Sequence, residues 1–159
     1  MRPLARAGLV LALAGLAVLG VVALKSERTV TKVAIPVKAG GLEARYFYLH
    51  EREVRVLVEV IPSAASVDVE VLDLTQYLRL TRGEPHGHVY AIRGTNGADF
   101  RLHPSRGVYF FVFRNRTNAG ILVRLTIAAE GLERGCLKVG VALLVLGLAL
   151  AAVSRVMRE

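Results

Sequence analysis

The sequence predicts an all-β sandwich of jelly-roll type, seven to nine antiparallel strands, flanked by one N-terminal and one C-terminal transmembrane helix. Three observations carry this. Long uncharged runs lie at the two ends of the 159-residue chain. Between them, apolar residues recur at every second position. No long stretch between Ser26 and Gly131 repeats with the period of a helix.

The first uncharged run is AGLVLALAGLAVLGVVAL, eighteen residues from Ala7 to Leu24. As a helix it spans about 27 Å, close to the hydrocarbon thickness of a bilayer. Arg2 and Arg6 precede it, and Lys25 and Arg28 follow. A cleavable signal peptide is the competing reading, with Val21-Val22-Ala23 as its cleavage site. The run is longer than the usual apolar core of a signal, so residues 1–25 are expected to stay as a signal-anchor helix. The second run is uncharged from Val139 to Val153 and is about long enough to cross when counted from Cys136; it is apolar on every side, and such a helix needs lipid or a large protein around it. Lys138 lies at its edge, where it can snorkel. Residues 134–159 are therefore read as a transmembrane helix with a short basic tail.

The intervening residues 26–133 form the β domain. EVRVLVEVI places Val54, Val56, Val58 and Val60 on one face, and SVDVEVLDL does the same with Val67, Val69 and Val71. Further strands are expected at Val30–Val37, Arg45–Leu49, Tyr77–Leu80, His88–Ile92 and Asp99–His103, punctuated by Gly and Pro. GVYFFVFRNRTNAGILVRLTI, Gly107 to Ile127, is apolar enough to suggest a third span. It carries Arg114, Arg116 and Arg124, each costing about 2.5–3.5 kcal/mol near a bilayer centre. Aromatic and β-branched residues on either side of RNRTNAG read instead as strand, turn, strand. Tyr109, Phe111 and Phe113 then share one face, Phe110 and Val112 the other, and a strand apolar on both faces belongs at the centre of a sheet. Arg116, at the reversal, is expected to be exposed and energetically neutral.

Phe100, Gly107, Tyr109, Phe113 and Asn115 give residues 98–127 a pattern that resembles the closing strands of the GOLD-type β-sandwich, the lumenal domain of the emp24/p24 cargo-receptor family. The resemblance implies a sandwich fold and a binding module beside a membrane. The chain lacks that family's paired cysteines and its coiled coil, so cargo selection is not implied.

Composition narrows function. The mean hydropathy is +0.46 and the formal net charge +8, without a basic tract. Lysine and arginine only slightly exceed acids across the middle region, which argues against a nucleic-acid partner. A single cysteine, Cys136, forms no intrachain disulfide. G-x-S-x-G, P-loop, H-E-x-x-H and C-x-x-C motifs are absent from the sequence, and no cofactor or enzymatic activity is expected. His86 and His88, two apart in EPHGHVY, are weak metal candidates that His103 or Glu84 would complete. Solvated loop histidines are the plainer reading. Asn115-Arg116-Thr117 is a formal glycosylation triplet in an exposed turn. Gly8, Gly15, Gly20, Gly140 and Gly147 would let membrane helices approach closely, within the chain or in a homo-oligomer.

Terminal arginines at both ends favour both termini in the cytoplasm, although the basic inner flanks oppose this by near-flank counting. The expectation is a two-pass integral protein of the cell membrane with an extracytoplasmic sandwich. That domain would bind another membrane or envelope protein without catalysis, its other partner being membrane lipid. The alternative is a metal-dependent binder or enzyme built on the His86/His88 loop.

Overall fold

The computed structural model describes residues 2–24 and 28–156. They form two compact units, one helical and one a sandwich of residues 28–130.

The sandwich has two four-stranded antiparallel sheets. Sheet A has the order β1 (Thr29–Val37), β8 (Ile121–Glu130), β3 (Glu53–Ile61), β6 (Gly97–Leu102). Sheet B has the order β2 (Leu42–Leu49), β7 (Gly107–Asn115), β4 (Val67–Asp73), β5 (Tyr90–Thr95). The eight strands fall within the expected seven to nine. Alternation does what the sequence implied: Val54, Val56, Val58 and Val60 of β3 meet Val67, Val69 and Val71 of β4 in one core. β7 supplies its bulk, with Phe111 and Phe113 fully buried and Tyr109 beside them. At the far side of the core the rings of Tyr90 and Phe100 stack at 3.7 Å, joining the two sheets. The registers β2–β7 and β4–β7 make β7 an interior strand.

One expected strand is a helix. Residues 74–81 form α2 (Leu74–Thr81), which contains Tyr77–Leu80. Asp73 caps it: its Oδ1 accepts from the Gln76 N–H at 2.8 Å, and Gln76 Oε1 accepts from the Asp73 N–H at 3.1 Å. This reciprocal capping box satisfies two backbone donors of the first turn. Leu74, Tyr77 and Leu78 then share one helical face. A helix this short is marginal alone and is held by packing, here the Tyr77 ring stacked on Phe110.

The helical unit pairs α1 (Arg2–Leu24) with α3 (Arg134–Val156). Both helices are long and apolar enough to cross a membrane. They run antiparallel, since Gly8 lies against Gly147 and Ala151, and Gly15 against Gly140 and Leu144. A Cβ on Gly8 would sit 2.7 Å from the Gly147 carbonyl oxygen, and one on Gly15 2.6 Å from the Leu144 nitrogen. The glycines thus bring backbone against backbone, as small residues do between membrane helices. Gly20 is the exception and has open space around it.

Candidate interaction surfaces

Sheet B has two outer-face features, an aromatic cluster and an ion-pair lock. On β2 the sequence RYFYL turns Phe47 and Leu49 toward the core and Tyr46 and Tyr48 away from it. Across to β7, Tyr46 stands opposite Phe110 and Tyr48 opposite Val108. Tyr77 of α2 lies flat on Phe110, with ring centroids 3.8 Å apart and planes 2° from parallel, and Tyr46 tilts against the same ring at 6.3 Å. The helix therefore covers part of the face that Phe110 and Val112 present, as a strand apolar on both sides requires. It leaves Tyr46 73% and Tyr48 53% exposed. Arg106 Nε donates to the Tyr48 hydroxyl at 2.9 Å, and the His50 ring meets Tyr48 edge-on. The phenol is thus anchored while its ring stays open to solvent. Leu74 and Leu78 of α2 add exposed apolar surface to the same layer. β2 is also an edge strand of its sheet. Strand periodicity carries no sign of this cluster. Period two separates two faces of a strand, and it does not say which neighbour leaves an outer face uncovered.

Asp68, on the outer face of β4, is buried. Its Oδ1 accepts from the Gly94 N–H at 2.8 Å and its Oδ2 from Arg116 Nε at 2.6 Å. Gly94, at φ +60°, lies at the irregularity where β5 shifts register against β4 between Val67 and Val69. A bulge there frees the N–H that the carboxylate takes. Arg116 is exposed, as expected, and it is also the partner of a buried charge, which the expectation of neutrality missed.

Asn115 is not an exposed glycosylation acceptor. It is 1% exposed, and its Nδ2 donates to the carbonyls of Lys38 at 3.0 Å and Ala119 at 2.7 Å. Its Oδ1 accepts from the Thr117 N–H at 2.9 Å and from the Thr117 hydroxyl at 2.7 Å. The side chain ties the β7–β8 reversal to the end of β1, so the sugar-accepting nitrogen is enclosed and already bonded. The Thr of the glycosylation triplet serves as a turn residue.

The structure places the histidine loop against β4. His86 Nε2 lies 3.4 Å from Glu70 Oε2, half-buried against the outer face of β4. Among the described residues no group of three or more His, Cys, Asp or Glu stands close enough to share an ion. His88 is exposed, and neither His103 nor Glu84 completes a set with it.

The outer face of sheet A is polar in alternate rows. Arg55 pairs with Asp99 (Nε–Oδ1 2.9 Å), Arg101 with Glu53 at 2.8 Å and Arg28 with Glu130 at 3.0 Å. The first two are diagonal cross-strand pairs between β3 and β6 on a solvated sheet face. The Asp99 carboxyl is held below the usual carboxylate range, first by its hydrogen bond from Arg55.

No family model matches this chain, and no curated protein matches it. Among solved structures, the sandwich is similar to the pre-peptidase C-terminal domain of a collagenase from Bacillus anthracis, at 9% identity over 61% of this chain and 87% of that one, with a TM-score of 0.47. It is also similar to a periplasmic inhibitor of g-type lysozyme from Aeromonas hydrophila, at 11% identity over 67% and 90%, with a TM-score of 0.43. A third is the Yersinia pseudotuberculosis-derived mitogen, at 8% identity over 66% and 87%, with a TM-score of 0.43. All three are distant likenesses of fold.

Proposed function

We propose that this chain is a two-pass integral membrane protein that presents its sandwich outside the cytoplasm as a non-enzymatic binding module for another membrane or envelope protein. The observation that carries the reading is the aromatic cluster of Tyr46, Tyr48, Tyr77 and Phe110 on the outer face of sheet B. Tyrosine with arginine beside it is the composition of binding hot spots, because the ring offers large apolar area and the hydroxyl a fixed polar contact. Tyr48 is already held by Arg106, so little side-chain freedom is lost when a partner covers it. The two apolar helices support the membrane placement. The partial resemblance of residues 98–127 to a membrane-adjacent sandwich family agrees with it.

Two measurements test this. Tyr46→Cys in a Cys136→Ser background should react with a membrane-impermeant maleimide in intact cells; labelling that appears only after lysis would place the domain in the cytoplasm and sink the orientation. A photo-cross-linking residue at position 46 should yield one discrete protein adduct in native membranes, and Tyr48→Ala should reduce it strongly. A smear of adducts unchanged by Tyr48→Ala would remove the binding role from this face.

A further inference from the structure

The outer face of sheet A holds a groove of about 740 Å³ across β1, β8 and β3. Its register is fixed by the ladders. Lys32 stands opposite Thr126, which stands opposite Leu57; one row along, Ala34, Arg124 and Glu59 are aligned in the same way. Three ion pairs neutralise the rest of this face: Arg28–Glu130, Arg55–Asp99 and Arg101–Glu53. Lys32, Arg124 and Glu59 are left, and all three are exposed. No ion pair within 4.0 Å joins any of them to another described residue. Lys32 and Arg124 are diagonal neighbours, a spacing of about 7–8 Å or somewhat less, so two long cationic side chains can close on one phosphate. Glu59 lies on the far side of Arg124. Exposed Val30 and Leu57 supply an apolar floor, and Ala34 leaves it open.

We infer that this groove binds the headgroup of a zwitterionic aminophospholipid. Lys32 and Arg124 hold its phosphate, Glu59 accepts from its ammonium, and the first part of an acyl chain lies over Leu57 and Val30. The charge set of two cations and one carboxylate matches phosphate and ammonium, and the apolar floor matches an amphiphile rather than a free ion. Chain connectivity favours a lipid. β1 and β8 are neighbouring strands of this sheet, and at one shared end they lead by residues 25–28 and 131–133 into the two helices. Sheet B has no such connection. The inference rests on the helices lying in a membrane; it does not depend on the partner proposed for sheet B.

The test uses the full chain in mild detergent with equal amounts of phosphatidylethanolamine, phosphatidylcholine and phosphatidylglycerol, lipid adducts being counted by native mass spectrometry. The parent should retain phosphatidylethanolamine about tenfold or more better than K32Q/R124Q does, since each cation near a lipid phosphate contributes substantially. Glu59→Gln should bring phosphatidylcholine up to parity with phosphatidylethanolamine, because the ammonium loses its acceptor. Leu57→Gln should weaken retention independently, and thermal midpoints of these exposed-site variants should match the parent. Free phosphoethanolamine at the same concentration should not displace the lipid. Equal adducts in the parent and K32Q/R124Q would mean lipid bound along the helices alone and would overturn the inference. So would a preference for phosphatidylglycerol that Glu59→Gln leaves unchanged, or full displacement by the free headgroup. Release of the protein from membranes by alkaline carbonate would instead defeat the membrane reading itself, and that outcome is separate from the lipid counts.

Discussion

Arg116 donates from Nε to the buried carboxylate of Asp68 at 2.6 Å, joining the β7–β8 reversal to the start of β4. The arginine is two-thirds exposed and the aspartate is 6% exposed at its side chain, so the value of the pair lies on the aspartate side. Removing Arg116 leaves a buried charge with the Gly94 N–H as its remaining protein donor. Arg116→Ala should therefore cost about 1–2 kcal/mol, more than an ordinary surface substitution. Asp68→Asn, which can still accept from Gly94, should cost about the same, and the double variant should cost less than the sum. Denaturant melts of residues 28–130 would check this; additive costs would show that the two side chains act separately.

Asn115→Ala should destabilise the same unit by about 2–4 kcal/mol. It removes a donor from the Lys38 and Ala119 carbonyls, the latter keeping the Thr117 hydroxyl, and the acceptor from the Thr117 N–H. Asn115→Asp should be comparably harmful, because an acceptor would then face the Lys38 and Ala119 carbonyls. A parent-like midpoint in either variant would mean that water replaces the side chain without loss.

Phe111 and Phe113 have no exposed surface. Replacing either by Ala should cost about 3–5 kcal/mol, a large share of the roughly 5–15 kcal/mol available to a domain of this size. Phe110→Ala should cost less from the core. It should also loosen α2, because Tyr77 loses the ring it stacks on, and amide exchange in residues 74–81 should rise selectively.

The glycines of the helix pair make a graded prediction. Gly15→Leu and Gly147→Leu should each separate α1 from α3, because a Cβ at either position already meets backbone. Gly20→Leu should have no effect, since nothing lies within 4 Å of the position. Resonance energy transfer between labels placed on α1 and α3 away from these glycines would report it. A parent-like separation in Gly15→Leu would mean that the pair is held by something other than close approach.

Asp99 gives a signed pH effect. Its folded pKa is lowered, chiefly by the hydrogen bond from Arg55, so its contribution is present above the usual carboxylate range and is lost as pH falls through the depressed value. Asp99→Asn should flatten the acid limb of the stability–pH curve and leave the alkaline limb alone. The pair is exposed, so the effect should shrink in high salt. An unchanged acid limb would show that the pair contributes nothing in solution.

The sequence alone determined the layout: two apolar helices, a β domain between them, and β7 as the core strand. These follow from local pattern. Period two in EVRVLVEV and arginines within an apolar hairpin constrain the chain wherever it folds. The sequence also placed the glycines that later proved to be contact points between α1 and α3. It could not identify α2, because the short stretch LTQYLRL has too few turns to show a period; the Asp73–Gln76 box was the available signal. Long-range pairing decided the rest. Asp68 meets Arg116 across 48 positions, and the enclosure of Asn115 depends on a β1 end 77 positions away. Tyr46 and Tyr77 converge on Phe110 because β2 and β4 are the two neighbours of β7. Burial and partnership of this kind are properties of strand order, and strand order is set by the summed packing of two sheets rather than by any one segment.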